Sequence, residues 1–172
     1  MEESLSKKVL ITGIEGFTGD YIERFLINRG YDVYGTVFNH NTLNKKHFKC
    51  DIRNKTEINS IIKIVSPDFI LHFAAISFVE EKNKNLMYDV NVFGTQNLLE
   101  CIIENNLNPE KVIIVSSAAV YGEQNTNILS EDLCPNPINH YGYSKYISER
   151  ITSTFFSKLK IIVVRPFNYT GS

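Results

Sequence analysis

Apolar residues along this chain follow two spacings. Continuous short runs occur at Val9-Leu10-Ile11, Asp32 to Phe38, Phe69 to Phe73, Lys111 to Val115 and Ile161 to Val164. Their length and β-branched content predict strands, and their continuity predicts parallel strands covered on both faces. Phe48-Lys49-Cys50 predicts a shorter strand ending at Asp51. Between the runs the spacing relaxes to three and four, predicting helices at Phe17–Arg29, Thr56–Val65, Asn85–Asn105 and Tyr141 to about Lys158. Gly30 stops the first helix and Pro67 closes the second. In Asn85–Asn105 the positions Leu86, Met87, Val90, Phe93, Leu98, Leu99, Ile102 and Ile103 wrap more than one face. Such a helix is buried on two sides, one against the sheet and one available to a partner subunit.

Strands alternating with helices predict an α/β fold, a doubly wound parallel sheet of the Rossmann type with strand order 3-2-1-4-5-6. Residues 1–172 suit one domain, without repeats or a linker. In this architecture ligands bind beyond the strand C-termini. At those ends lie Gly13, Gly16 and Gly19, Asp51, Ser116-Ser117, and Arg165 to Gly171.

Charge and cysteine content narrow the function classes. The net charge is −1 with scattered Lys and Arg, so no basic field marks nucleic-acid binding. No apolar run approaches the roughly 18 residues that span a bilayer, and Met1-Glu2-Glu3-Ser4 lacks a signal region. A cytoplasmic protein without membrane partner is expected. Cys50, Cys101 and Cys134 are far apart and odd in number, which predicts reduced structural thiols and no metal site.

The segment Lys7 to Gly19 reads as strand, glycine turn and helix, the form of a dinucleotide grip. Gly13 suits the tight turn, Gly16 the approach of backbone to a pyrophosphate, and Gly19 close packing of helix on strand. The helix N-terminus at Phe17 and Thr18 then offers N–H groups to phosphate. Glu15 is expected to face solvent, because a carboxylate facing phosphate would repel it. At the end of the second strand an acid usually binds the ribose 2′-hydroxyl of NAD. Here Phe38-Asn39-His40 stands there, with no acid between Asp32 and Asp51. The cofactor expectation is therefore NADP or NAD, leaning to NADP, with Lys45 or Lys46 either meeting a 2′-phosphate or simply solvated.

Tyr141 and Lys145 are spaced to lie on one helix face. An ammonium beside a phenol lowers the phenol pKa from about 10, which would let Tyr141 exchange a proton near neutral pH. Tyr143, Ile147, Ile151 and Phe155 form an apolar row that would do the packing instead of Lys145. Ser117 can donate to the same oxygen as Tyr141. His72, on a buried strand, reads as a packed histidine, His140 as a loop residue, and Asn91 as a buried amide bonded to backbone. Arg165 either pairs with a carboxylate or shapes the cleft.

These features resemble the extended short-chain dehydrogenase/reductases, the nucleotide-sugar epimerases, dehydratases and 4-keto reductases. The resemblance rests on Thr12 to Gly19, Cys50-Asp51-Ile52-Arg53, His72-Phe73-Ala74-Ala75, Asn91 to Thr95, Ser116 to Gly122, Tyr141 to Lys145, and Arg165-Pro166-Phe167-Asn168. It implies a catalytic set of Ser117, Tyr141 and Lys145, with Ser117 and Asn168 touching a nucleoside-diphosphate sugar. It further implies that Gly13, Gly16, Phe17, Thr18, Gly19, Asn39, Asp51, Ile52, Phe73, Ala74 and Ala75 hold NAD(P), together with Tyr141 and Lys145. A homodimer through helices 85–105 and 143–158 is implied as well.

The family's 4,6-dehydratases carry a carboxylate after the strand-five Ser or Thr, where this chain has Ala118 and Ala119. That favours hydride transfer at C4 by a 4-keto-6-deoxy-sugar reductase or an epimerase. The alternatives are a 4,6-dehydratase and a binding module without turnover. The family continues for more than a hundred further residues, so most of a C-terminal substrate domain is expected to be lacking and apolar surface bare.

Overall fold

The computed structural model describes residues 6–38, 43–77, 81–126 and 128–169. The strands are β1 (Lys8–Thr12), β2 (Asp32–Val37), β3 (His47–Lys49), β4 (Phe69–His72), β5 (Lys111–Val115) and β6 (Ile161–Val164), all parallel, in the order β3-β2-β1-β4-β5-β6. The helices are α1 (Phe17–Ile27), α2 (Lys55–Val65), α3 (Lys84–Tyr88), α4 (Thr95–Glu104) and α5 (His140–Ser153).

The continuous apolar strands divide their side chains between two cores. Leu10, Ile70, Val112 and Ile114 pack with Ile58, Ile62, Leu98 and Ile102 of α2 and α4. On the other face Val9, Ile11, Val33 and Val37 meet Ile22 and Leu26 of α1. Successive strand residues point to opposite faces, so a run such as Val9-Leu10-Ile11 must be apolar throughout.

The expected helix over 85–105 is present as one continuous run, 84–104, but it is not α-helical throughout. A π-helical turn, Asp89–Gly94, separates α3 from α4. Periodicity does not register such a turn, because the extra residue shifts the phase without interrupting the apolar content. Helix α5 also differs from expectation. Its buried residues are Gly142, Ser144, Lys145, Ser148, Glu149 and Thr152, while Tyr143 and Ile147 are exposed. Small side chains let α5 lie close against the π turn, and Lys145 is part of that buried face rather than apart from it.

Ile162 and Val164 on edge strand β6 are exposed, as are Phe17 and Phe25 on α1. Among the described residues, no helix is long and apolar enough to cross a membrane. Cys50 and Cys101 are buried free thiols, pushed up by burial to about 12 and about 11, and are unreactive.

Candidate functional site

Beyond the C-terminal ends of the strands lies a cleft of about 1230 Å³. The glycine turn forms one wall. Gly13 adopts φ +68°, and a Cβ there would come within 2.8 Å of the Ala74 backbone, so turn and β4 extension pack backbone on backbone. A Cβ on Gly19 would meet the Ile14 and Gly13 carbonyl oxygens at 2.6 and 2.7 Å. The Gly16 N–H donates to the Gly13 carbonyl at 3.1 Å, and the Asp20 N–H to the Gly16 carbonyl at 3.1 Å. The N–H groups of Phe17, Thr18 and Gly19 thus precede the first intrahelical bond and remain available for an anion.

The turn is tied to β2 at three points. The Gly13 N–H donates to Thr36 Oγ1 at 3.3 Å and the Ile14 N–H to the Thr36 carbonyl at 3.1 Å. The third tie is the Glu15 carboxylate, which accepts from the Phe38 N–H at 2.9 Å. Glu15 is exposed, yet it lines the cleft rather than pointing away, because this N–H just past β2 draws it inward. Lys46, expected at a 2′-phosphate or in solvent, is bound to Asp32 at 2.5 Å at the start of β2, the opposite end of that strand.

The floor follows β4. His72 is fully buried, with Nδ1 2.7 Å from the Thr12 hydroxyl and Nε2 2.9 Å from the Thr95 hydroxyl. Burial pulls its pKa down to about 3, so the ring is a neutral clasp. Asn91, in the π turn, accepts from the Ile76 N–H at 2.8 Å and donates to the Ile76 carbonyl at 3.0 Å and to Ser144 Oγ at 2.9 Å. One amide thereby joins the segment carrying Ala74 and Ala75 to the helix carrying Tyr141 and Lys145.

The far wall carries Ser117, Tyr141 and Lys145, the residues expected to act. Ser117 caps a short 3₁₀ turn (Ala118–Val120) by accepting from the Ala119 N–H at 3.1 Å. Tyr141 and Lys145 are one turn apart on α5 and both line the cleft. Burial pushes the Tyr141 phenol up, and a hydrogen bond with Ser117 opposes it more weakly. Lys145 Nζ donates to the Val115 carbonyl at 2.7 Å; burial pulls this amine down to about 8, with Glu149 opposing. The expected acidification of Tyr141 by Lys145 is therefore not found. The ammonium is directed at the end of β5, and desolvation dominates the phenol.

Arg165 takes the first of its two expected roles, pairing with a carboxylate. It grips Glu149 through two bonds, at 2.9 and 2.7 Å, and donates to the Tyr121 hydroxyl at 2.9 Å. The paired carboxylate holds its guanidinium firmly charged.

The cleft gathers Gly13, Gly16, Phe17, Thr18 and Gly19 at its turn, and Phe73, Ala74 and Ala75 on its floor. Asp51 and Ile52 lie at the β3 side, with Asp51 paired to Arg53 at 2.5 Å and its carboxyl held low by that partner. Ser117, Tyr141, Lys145 and Asn168 line the same space. Asn39 lies outside the described residues. Sequence reasoning misplaced Glu15 and did not single out Tyr169, whose hydroxyl bonds to Thr18 beside the Phe17 ring. A carboxylate inside a glycine turn, beside a strand that ends without an acid, was the available signal for Glu15.

The family model described as GDP-mannose 4,6 dehydratase matches residues 10–172. A GDP-6-deoxy-D-talose 4-dehydrogenase of Aggregatibacter actinomycetemcomitans is 38% identical over 165 residues, covering 95% of this chain and 53% of the relative. The solved UDP-glucose 4-epimerase from Brucella ovis in complex with NAD superposes with a TM-score of 0.85 at 28% identity, over 95% of this chain and 52% of its own. A dTDP-4-dehydrorhamnose reductase from Bacillus anthracis in complex with NADP gives 0.78 at 25% identity, over 97% and 57%. The chain spans about half the length of these proteins.

Proposed function

The chain belongs to the family of the GDP-mannose 4,6 dehydratase model, within the extended short-chain dehydrogenase/reductases, and from that membership we propose that its protein performs NAD(P)-dependent hydride transfer at C4 of a nucleoside-diphosphate sugar. The reaction is that of a 4-keto-6-deoxy-sugar reductase or a 4-epimerase. The observation that carries this reading is the meeting of Ser117, Tyr141 and Lys145 with the glycine turn in one cleft.

The residues fit a nicotinamide dinucleotide. The first-turn N–H groups suit a pyrophosphate, and Gly13, Gly16 and Gly19 put no side chain of their own in front of them. Asp51 and Ile52 would hold the adenine, and Lys145 the ribose beside the nicotinamide. When bound, that group supplies hydride donation or acceptance. The Tyr141 hydroxyl exchanges a proton with the C4 oxygen, a contribution of roughly 10²–10⁴-fold. Ser117, which lines the cleft with Tyr141, steadies the same oxygen, and Asn168 touches the sugar. Lys145, tied to the Val115 carbonyl, supplies a cation to the cleft that Tyr141 lines.

Ala118 and Ala119 also line the cleft and carry no proton to move, which disfavours water elimination despite the family's description. The relatives named as a 4-dehydrogenase and a 4-epimerase share chemistry at C4. A homodimer belongs to the same proposal, supported by exposed Phe93, Tyr143 and Ile147.

Titration of the purified chain with NADH and NADPH, followed by fluorescence, is expected to show saturable binding. Full-length protein with a panel of nucleotide 4-keto sugars is expected to oxidise the reduced cofactor. Interconversion of C4 epimers without net oxidation would select the epimerase. Binding without either reaction would select a module without turnover.

A further inference from the structure

We infer that Glu15 reads the 2′-position of the adenine ribose, selecting NAD(H) against NADP(H). The inference deepens the dinucleotide reading and rests on it. Sequence alone leans the other way, because the end of β2 offers Phe38 and no acid. The fold supplies the acid from next door.

β1 and β2 are paired in register, with Thr12 opposite Thr36, so the turn leaving β1 runs beside the end of β2. The bonds from Gly13 and Ile14 to Thr36 fix that approach, and Glu15 Oε1 then accepts from the Phe38 N–H at 2.9 Å. A carboxylate therefore stands at the position where a ribose-binding acid on β2 would end, delivered by the turn instead of the strand. One oxygen is partly occupied by Phe38. The other oxygen and the remaining lone pairs are left to accept from ribose hydroxyls.

The charges around it agree. A 2′-phosphate within hydrogen-bond reach of this carboxylate would set like charges against each other. Among the described residues lining the cleft the cations are Arg53 and Lys145. Arg53 is held by Asp51 at 2.5 Å, and Lys145 by the Val115 carbonyl on the opposite wall. Lys46 is a strand length away on Asp32.

The test is the ratio of NADPH to NADH dissociation constants, measured on the chain and on two variants. The unaltered chain is expected to bind NADH about 10- to 100-fold more tightly, the range of one charge-assisted hydrogen bond exchanged for repulsion. Glu15→Gln keeps an acceptor for the Phe38 N–H while removing the charge, and is expected to bring the ratio within about threefold of unity. Glu15→Lys is expected to invert it. An unaltered chain that prefers NADPH overturns the inference alone. So does a Gln variant in which both constants move together, since that is the signature of a residue that only braces the turn. Failure to bind either dinucleotide overturns the functional reading and this inference with it.

Discussion

Lys145 Nζ lies 2.7 Å from the carbonyl oxygen of Val115, the last residue of β5. This bond seats a fully buried amine between the sheet and the helix that carries Tyr141. A buried ammonium is costly unless hydrogen-bonded, and the exposed carbonyl at a strand end is the partner that parallel pairing leaves over. Burial pulls the Lys145 amine down to about 8 and pushes the Tyr141 phenol up, so desolvation sets the direction for both groups.

Tyr141→Phe removes the only atom assigned to proton exchange and leaves the ring. Turnover of the full-length protein should fall by at least about 10²-fold with dinucleotide affinity kept within about threefold. Steady-state rates alongside fluorescence titration decide it; comparable turnover would dismiss the assigned role.

Arg165→Ala strips the bidentate partner from Glu149, whose side chain is only 9% exposed. Breaking such a pair on one side costs about 3–5 kcal/mol. Replacing both, with Arg165→Met and Glu149→Leu, should recover most of the loss in urea unfolding. A single variant as stable as the parent would show that the pair is idle.

Asn91→Ala leaves the Ile76 N–H and carbonyl without their side-chain partner. Loss of stability of about 2–3 kcal/mol is expected, from orphaned buried polar groups. Because Asn91 also holds Ser144, dinucleotide affinity should weaken in the same variant. Equal unfolding midpoints for variant and parent would contradict this.

His72 makes stability depend on pH in a defined window. Its folded pKa of about 3 lies below the ordinary 6.5, so the unfolded chain takes up a proton that the folded ring refuses. Its contribution is intact above pH 6.5 and is lost as pH falls towards 3, at up to about 1.4 kcal/mol per pH unit. The difference in unfolding free energy between parent and His72→Gln should shrink across that interval. A constant difference would mean that the ring titrates normally.

Asn105 closes α4, its amide bonding to Asn59 and to the Cys101 carbonyl, and apolar spacing alone placed that helix end within a residue. Strand runs, glycine spacing and helical periods were legible because each is a local rule of covalent geometry and burial. They determined the six strands and their order, and they brought Gly13, Ser117, Tyr141 and Lys145 to one side of the sheet. The π turn was not legible, since one extra residue in an apolar helix leaves its composition unchanged. Nor was the direction of a charged side chain. Glu15 turns to Phe38, Lys46 to Asp32 and Lys145 to Val115 because of backbone groups and partners 14 to 30 residues away in sequence. Only the tertiary structure decides where a long flexible charge comes to rest, because its energy depends on neighbours that sequence proximity does not specify.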